Sequence, residues 1–191
     1  MFKIAVLVSG NGTNLQAVID YTKKPDANVQ VKVVISDRPG AYAIERARRE
    51  GIETIVLDRK NLKNRLSDEI LPRVNGCDLI VLAGFLSILC GDILKEFEKR
   101  IVNVHPSLIP AFCGPKMYGQ KVHQAVLKKG VKISGCTVHI VDKGTDTGPI
   151  LIQKAVKVLE DDTSESLAER ILPYEHQGLC EAIEMFVEGR V

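Results

Sequence analysis

The sequence predicts an α/β protein with an open, doubly wound, Rossmann-like sheet that is mostly parallel and has an antiparallel strand near its C-terminal edge. Short β-branched apolar runs alternate with stretches of helical periodicity, as in βαβ units with right-handed crossovers. The early runs are apolar nearly throughout, as expected for strands buried on both faces of a sheet. Near the C-terminus, two strand-like runs are joined by a connection too short for a crossover helix.

The first 105 residues contain five predicted strands, and a predicted helix follows each of the first four. The strands are Lys3–Val8, Val29–Ser36, Thr54–Leu57, Leu79–Ala83 and Ile101–His105, and the helices are Asn14–Tyr21, Ala41–Glu50, Leu62–Val74 and Asp92–Lys99.

The C-terminal part of the chain follows a different pattern. Cys136–Asp142 and Ile150–Val158 are strand-like and should pair antiparallel, because only the turn from Lys143 to Pro149 joins them. Thr163 is a plausible N-cap for an amphipathic helix that runs towards Gly189. We expect Pro173 to kink or interrupt that helix.

Composition limits the function classes. With 191 residues, of which 45% are apolar and 26% charged, the chain is expected to be one globular domain, 1–191. A net charge of +2 is too small to indicate nucleic acid or an anionic membrane as the main partner, and no apolar run is long enough to span a bilayer. We interpret the first apolar run as a strand and not as a signal peptide.

The cysteines and histidines indicate neither disulfides nor a metal site. Five widely spaced cysteines fit reduced thiols in the cytoplasm. The four histidines lack metal-ligand spacing, so no metal is expected. Covalent catalysis has no motif support either, because there is no G-x-S-x-G and no cysteine adjoins a histidine.

The loop after the first strand, Ser9–Asn14, has two glycines and opens a helix. Free N–H groups and the positive end of the helix dipole suit a phosphate. The dinucleotide fingerprint is incomplete, because Leu15 stands where a third glycine would be needed. We favour phosphate binding here over a merely tight turn.

Two polar residues, Asn103 and His105, lie on the same face of the fifth strand at its carboxyl end, where ligands bind in such sheets. An imidazole moves protons near neutral pH, and an amide donates to an oxyanion. The alternative, a strand-end histidine satisfied by a backbone partner, is about equally well supported. Asp146 lies in a glycine-flanked turn that either is only a hairpin connection, the commoner case, or brings the carboxylate beside His105.

Four segments in order resemble the folate-dependent formyltransferase superfamily: SGNGTN, LAGFLSIL, NVHPSLIP and TVHIVDKGTDTGPI. The agreement extends from about Ile4 to Ile183, and SGNGTN points to the members that act on glycinamide ribonucleotide. The resemblance implies a cytoplasmic enzyme of purine biosynthesis. It would transfer the formyl group of 10-formyltetrahydrofolate, its co-substrate, to the amine of glycinamide ribonucleotide, with no metal and no tightly bound cofactor.

The resemblance also implies roles for individual residues. His105 would carry the proton to the departing folate nitrogen, Asn103 would hydrogen-bond the formyl oxygen, and Asp146 would raise the His105 pKa and relay the amine proton. The ribonucleotide would be held by Gly12, Thr13, Asn14 and Glu175, and the folate by Lys63, Leu86, Ser87, Ile88, Leu89 and Asn103. Ser87 and Cys113 depart from the residues common at their positions, and the stretch Gly114–Lys121 is longer than in the shortest relatives.

Three alternatives remain beside this interpretation. A formyltetrahydrofolate hydrolase would use the same trio but carries an additional N-terminal domain. Formyl transfer to initiator methionyl-tRNA would need a C-terminal nucleic-acid-binding domain and a basic loop, whereas Ala111–Gly114 is not basic. A non-catalytic nucleotide-binding module is the third. We expect two small-molecule substrates, no nucleic acid or membrane, and a monomer or homodimer.

Overall fold

A computed structural model describes residues 1–191 and contains one sheet of seven strands in the order β3-β2-β1-β4-β5-β6-β7. The first five strands pair in parallel, and β6 is antiparallel to both β5 and β7. The doubly wound, mostly parallel sheet with an antiparallel strand near the C-terminal edge is thus confirmed. The strands are β1 Phe2–Val8, β2 Val29–Ser36, β3 Glu53–Val56, β4 Leu79–Leu82, β5 Ile101–His105, β6 Ile133–Ile140 and β7 Ile150–Lys157.

Seven α-helices connect or cover the strands. They are α1 Thr13–Thr22, α2 Tyr42–Arg49, α3 Arg59–Leu62, α4 Leu66–Ile70, α5 Asp92–Glu96, α6 Gln120–Lys129 and α7 Ser164–Val187. None of them is long and apolar enough to cross a membrane.

The single helix predicted over Leu62–Val74 is wrong. That stretch contains the end of α3, the 3₁₀ segments Lys63–Arg65 and Leu71–Val74, and α4 between them. Lys63 has a φ of 49°, which a continuous right-handed helix does not accept, and Pro72 lacks the N–H that a second α-turn would need. The helix predicted to reach Lys99 ends at Glu96, and Lys99 itself has a φ of 59°.

The core consists of two apolar layers, one on each face of the sheet. Successive residues of β1 belong to different layers: Val6 and Val8 pack under one set of helices, and Ala5 and Leu7 under the other. This alternation explains why β1 is apolar nearly throughout, because the residues on both of its faces are buried.

Helix α7 packs against the first of these layers. Its N-terminus is closed by a capping box, in which the Thr163 hydroxyl accepts from Ser166 N–H and the Ser166 hydroxyl accepts from Thr163 N–H. Pro173 was expected to kink or interrupt this helix, but the helix continues without a break from Ser164 to Val187. Buried residues on both sides of Pro173, such as Ile171 and Leu179, offset the lost backbone hydrogen bond.

Candidate active site

A cavity of about 410 Å³ opens at the carboxyl ends of β4 and β5. The loops after these two strands line it, together with residues 114–119, the turn between β6 and β7, and Glu175 of α7. Ligands of open α/β sheets bind at this edge of the strands. The cavity is therefore the candidate substrate site.

Asn103 and His105 both line this cavity, as the alternation along β5 predicted. His105 is only 4% exposed, and Asp146 from the β6–β7 turn lies beside it with Oδ2 at 3.6 Å from the ring nitrogen Nδ1. The other ring nitrogen, Nε2, is 2.9 Å from the Phe112 carbonyl oxygen, to which it donates. The structure thus brings the predicted amide, imidazole and carboxylate together at one cavity.

The segment after cis-Pro110 contacts both members of the His105–Asp146 pair. The Phe112 carbonyl accepts from His105, and Gly114 N–H donates to Asp146 Oδ2 at 2.9 Å. Phe112 and Asp146 both have positive φ values, 53° and 58°, which are uncommon for residues with a side chain. This backbone conformation places the Phe112 carbonyl at one nitrogen of the His105 ring and the Asp146 carboxylate, held by the Gly114 N–H, near the other.

His139 of β6 also belongs to this cluster, although no sequence pattern indicated a role for it. Its Nδ1 donates to the Ile140 carbonyl at 2.9 Å, so in the neutral ring Nε2 accepts from Asn103 Nδ2 at 3.1 Å. The same Nε2 lies 3.6 Å from Asp146 Oδ1. The contact with Asn103 arises because the two residues are direct partners in the β5–β6 ladder, and no local sequence signal reveals that pairing.

Burial and neighbouring polar groups shift the pKa values of His105 and Asp146 in opposite directions. Burial lowers the pKa of His105 below its ordinary value, while the Phe112 carbonyl and the Asp146 carboxylate offset part of that effect. For Asp146, burial favours a higher pKa, but the His139 ring when it is protonated, the Gly114 N–H and the His105 imidazolium outweigh burial, so that the pKa of Asp146 lies below its usual value. The arrangement therefore favours an ionised Asp146 beside a neutral His105 at neutral pH.

The predicted phosphate loop leads into α1 through Gly12, which has a φ of 77°, and no side chain caps the helix. Asn14 lines the cavity and donates from Nδ2 to Glu175 Oε2 at 2.9 Å. Burial raises the pKa of Glu175, and the hydrogen bond from Asn14 offsets this only in part. Gly12 and Thr13 do not line the cavity itself, but they adjoin it through Asn14.

The predicted folate loop, Leu86–Leu89, forms one wall of the cavity. Leu86 N–H donates to the Ser9 hydroxyl at 2.7 Å, and Ser87 donates to Asp37 Oδ2 at 2.5 Å. Asp37 is fully buried and also pairs with Arg59. These contacts hold Leu86 and Ser87 against the body of the protein, whereas Ile88 in the same loop is 72% exposed.

Lys63 does not join the other predicted folate residues. It lies on the 3₁₀ segment after α3 and is not among the residues that line the cavity. No group of three or more His, Cys, Asp or Glu side chains is arranged to hold a metal ion, and the five cysteines are unpaired.

Comparison with known proteins identifies a family. Residues 2–183 match the family described as Formyl transferase. Phosphoribosylglycinamide formyltransferase of Bacillus subtilis is 38% identical over 93% of this chain and 90% of its own length. A structure of glycinamide ribonucleotide transformylase 1 from Symbiobacterium toebii superposes with a TM-score of 0.93 at 45% identity, covering all of this chain and 89% of that one.

Longer relatives match as well. The trifunctional purine biosynthetic protein adenosine-3 of Gallus gallus is 42% identical over 99% of this chain. The chain spans about a fifth of the length of that relative, 19%.

Proposed function

The chain belongs to the formyl transferase family, and we propose that it transfers the formyl group of 10-formyltetrahydrofolate to the amine of phosphoribosylglycinamide, a step of purine biosynthesis. The observation that carries the proposal is the convergence of Asn103, His105 and Asp146 on one cavity. Formyl transfer between two nitrogens needs an oxyanion donor and a proton carrier, and these three side chains supply both.

The reaction begins when the amine lone pair of the ribonucleotide attacks the formyl carbon. The carbonyl π electrons move onto oxygen, which becomes negatively charged. Asn103 has two N–H donors on Nδ2; one is directed to His139, and the other serves the developing oxyanion. The contact with His139 orients the amide before substrate binds, so that this stabilisation requires no rearrangement at the moment of reaction.

The tetrahedral intermediate collapses only after a proton has moved between its two nitrogens. The attacking nitrogen loses a proton to the His105–Asp146 pair, and His105 donates one to the folate nitrogen. The bond between that nitrogen and the formyl carbon then breaks, its electrons remain on the nitrogen, and the carbonyl re-forms. The products are tetrahydrofolate and the N-formyl ribonucleotide, with no net change in protons.

The contacts of the two His105 ring nitrogens add one requirement to these reaction steps. His105 Nε2 donates to the Phe112 carbonyl, and Nδ1 faces Asp146. Delivery of a proton from Nε2 therefore requires that this nitrogen exchange the Phe112 carbonyl for the folate nitrogen. The nearby Asp146 carboxylate stabilises the imidazolium while the exchange occurs.

The two substrates would occupy opposite ends of the cavity. We assign the ribonucleotide to Gly12, Thr13, Asn14 and Glu175, since a helix N-terminus suits its phosphate and a carboxylate suits its ribose hydroxyls. We assign the pterin to Leu86–Leu89 and Asn103, and we retain Lys63 as a contact for the outer part of the folate. The unpaired cysteines support a cytoplasmic location. We expect no nucleic-acid partner, and a monomer or homodimer.

The decisive experiment mixes the protein with 10-formyltetrahydrofolate, with and without phosphoribosylglycinamide, and follows the absorbance change that accompanies tetrahydrofolate formation. Turnover that depends on the acceptor supports the transferase. Turnover without the acceptor would instead identify a hydrolase, and binding of both ligands without turnover would identify a nucleotide-binding module.

A further inference from the structure

Two residues of helix α2 donate hydrogen bonds to two consecutive carbonyl groups of the Ser9–Asn14 loop. Ala43 N–H donates to the Gly10 carbonyl at 3.1 Å, and Arg46 Nε donates to the Asn11 carbonyl at 2.9 Å. In a planar trans peptide, the carbonyl and the following N–H point in opposite directions. The N–H groups of Asn11 and Gly12 are therefore both directed away from α2.

Neither of these two N–H groups has an acceptor within the protein. The first hydrogen bond of α1 runs from Gln16 N–H to the Gly12 carbonyl. The N–H groups of residues 13–15 therefore have no partner within the helix and extend the row begun by Asn11 and Gly12. Asn14 is only 8% exposed and leaves its Oδ1 without a partner; as an acceptor, this oxygen suits a hydroxyl of the ligand and not its phosphate. Successive outward N–H groups at a loop–helix junction form an anion-binding concavity.

Arg46 is held firmly in this arrangement. Its Nη1 donates to Gln16 Oε1 at 3.3 Å, and its guanidinium carbon lies 5.1 Å from the centre of the Tyr42 ring. It forms no salt bridge, whereas Arg48 on the same helix pairs with Glu45 at 2.9 Å. Arg46 therefore brings an uncompensated positive charge to the loop as well as a hydrogen bond.

We propose that Arg46 is a positioning residue for a phosphomonoester at this loop. By holding the Asn11 carbonyl towards α2, it fixes the Gly12 N–H in the direction from which the phosphate binds. Its positive charge favours the phosphate dianion over a neutral ligand. The proposal rests on the proposed function in that the phosphate belongs to the ribonucleotide acceptor.

The test compares Arg46→Gln and Arg46→Lys with the matched control Arg48→Gln, which removes the same charge from the same helix without touching the loop. Arg46→Gln should raise KM for the phosphorylated acceptor about tenfold, because the Gly12 N–H is then no longer held towards the phosphate and a nearby positive charge is lost. Its KM for the dephosphorylated acceptor and for 10-formyltetrahydrofolate should not change. Arg46→Lys, which keeps the charge, should show a smaller increase, and Arg48→Gln should match the wild type.

A binding measurement separates this proposal from the proposed function. The Gly12 amide signal, followed by NMR, should shift on titration with ribose 5-phosphate in the wild type, and about tenfold more ligand should be needed in Arg46→Gln. Equal affinities in the two proteins, or an equal loss for phosphorylated and dephosphorylated acceptors, would overturn the role of Arg46. A wild type that binds ribose 5-phosphate but catalyses no formyl transfer would overturn the proposed function and leave the role of Arg46 supported.

Discussion

Asp146 Oδ2 lies 3.6 Å from His105 Nδ1, with the two side chains 10% and 4% exposed. Water is thus largely excluded from the space between the carboxylate and the imidazole. The same carboxylate accepts from the Gly114 N–H, so that its orientation does not depend on His105 alone. The chemistry of the site depends on this pair, and it leads to the first two predictions.

Replacing His105 by Gln should remove the proton carrier and keep a side chain of similar size. We expect kcat to fall by about 10²–10⁴-fold, the typical contribution of general acid–base catalysis, with little change in KM for either substrate. Steady-state kinetics of the purified variant measure both constants, and an unchanged circular dichroism spectrum controls for folding. A variant with nearly normal kcat would remove His105 from the proposed mechanism.

Replacing Asp146 by Asn should lower the pKa of His105 further. Burial already holds this pKa below its ordinary value of 6.5, and the Asp146 carboxylate is one of the groups that pull it upward. Loss of the negative charge removes part of that pull and disfavours the imidazolium. NMR titration of the His105 ring should show its midpoint at a lower pH in Asp146→Asn than in the wild type. A midpoint at the same or a higher pH would contradict the proposed coupling.

Glu175→Gln should stabilise the protein at neutral and alkaline pH. Because burial raises the pKa of Glu175 above its ordinary value of 4.5, the stability it contributes is present below that pH and is lost as the pH rises through the folded-state pKa. We expect Tm to rise by about 2–4 °C at about pH 8, corresponding to about 1 kcal/mol, and to change little at about pH 4.

The matched control for this measurement is Glu184→Gln, an exposed position on the same helix, which should leave Tm unchanged at both pH values. Glu175→Gln should also bind the ribonucleotide acceptor less tightly. A gain in Tm that is equal at the two pH values would show that ionisation of Glu175 is not its source.

Gly12→Ala should destabilise the phosphate loop. Gly12 has a φ of 77°, and a Cβ there would lie 2.6 Å from the Ala43 Cβ. The left-handed conformation alone costs about 1–2 kcal/mol for a residue with a side chain, so Tm should fall by about 2–8 °C. Gly10→Ala is the control, because a Cβ at Gly10 meets nothing within 4 Å and its φ is not positive. Equal Tm values for the two variants, measured by thermal unfolding, would contradict this account.

The sequence predicted the central strands to within about one residue, because buried parallel strands are uninterrupted apolar runs bounded by turn residues. It did not predict the break at Lys63, where a residue with good helix propensity adopts a left-handed conformation. The spatial order of the strands could not be read from local pattern either, since it depends on how crossovers pack onto the finished sheet.

Residue spacing alone predicts the site only where local periodicity determines it, whereas Asp146, Glu175 and the loop Leu86–Leu89 were predicted from the family resemblance. Asn103 and His105 share a strand, so alternation alone placed them on one face. The approach of Asp146 depends on a turn with positive φ at an acidic residue, and the contact between His139 and Asn103 depends on the register of two strands. Such long-range coincidences leave no trace in the spacing of residues along the chain.

The pairing of Asn103 with His139 in the β5–β6 ladder has a consequence for redesign. The placement of the His139 imidazole relative to the Asn103 amide follows from backbone hydrogen bonds between β5 and β6, two interior strands of the sheet, and not from any surface loop. Loops around the cavity can therefore be lengthened, shortened or exchanged to admit other acceptors without uncoupling these two groups. A one-residue slip between the strands would instead turn the imidazole to the opposite side of the sheet, which makes strand alignment the property that such redesign must preserve.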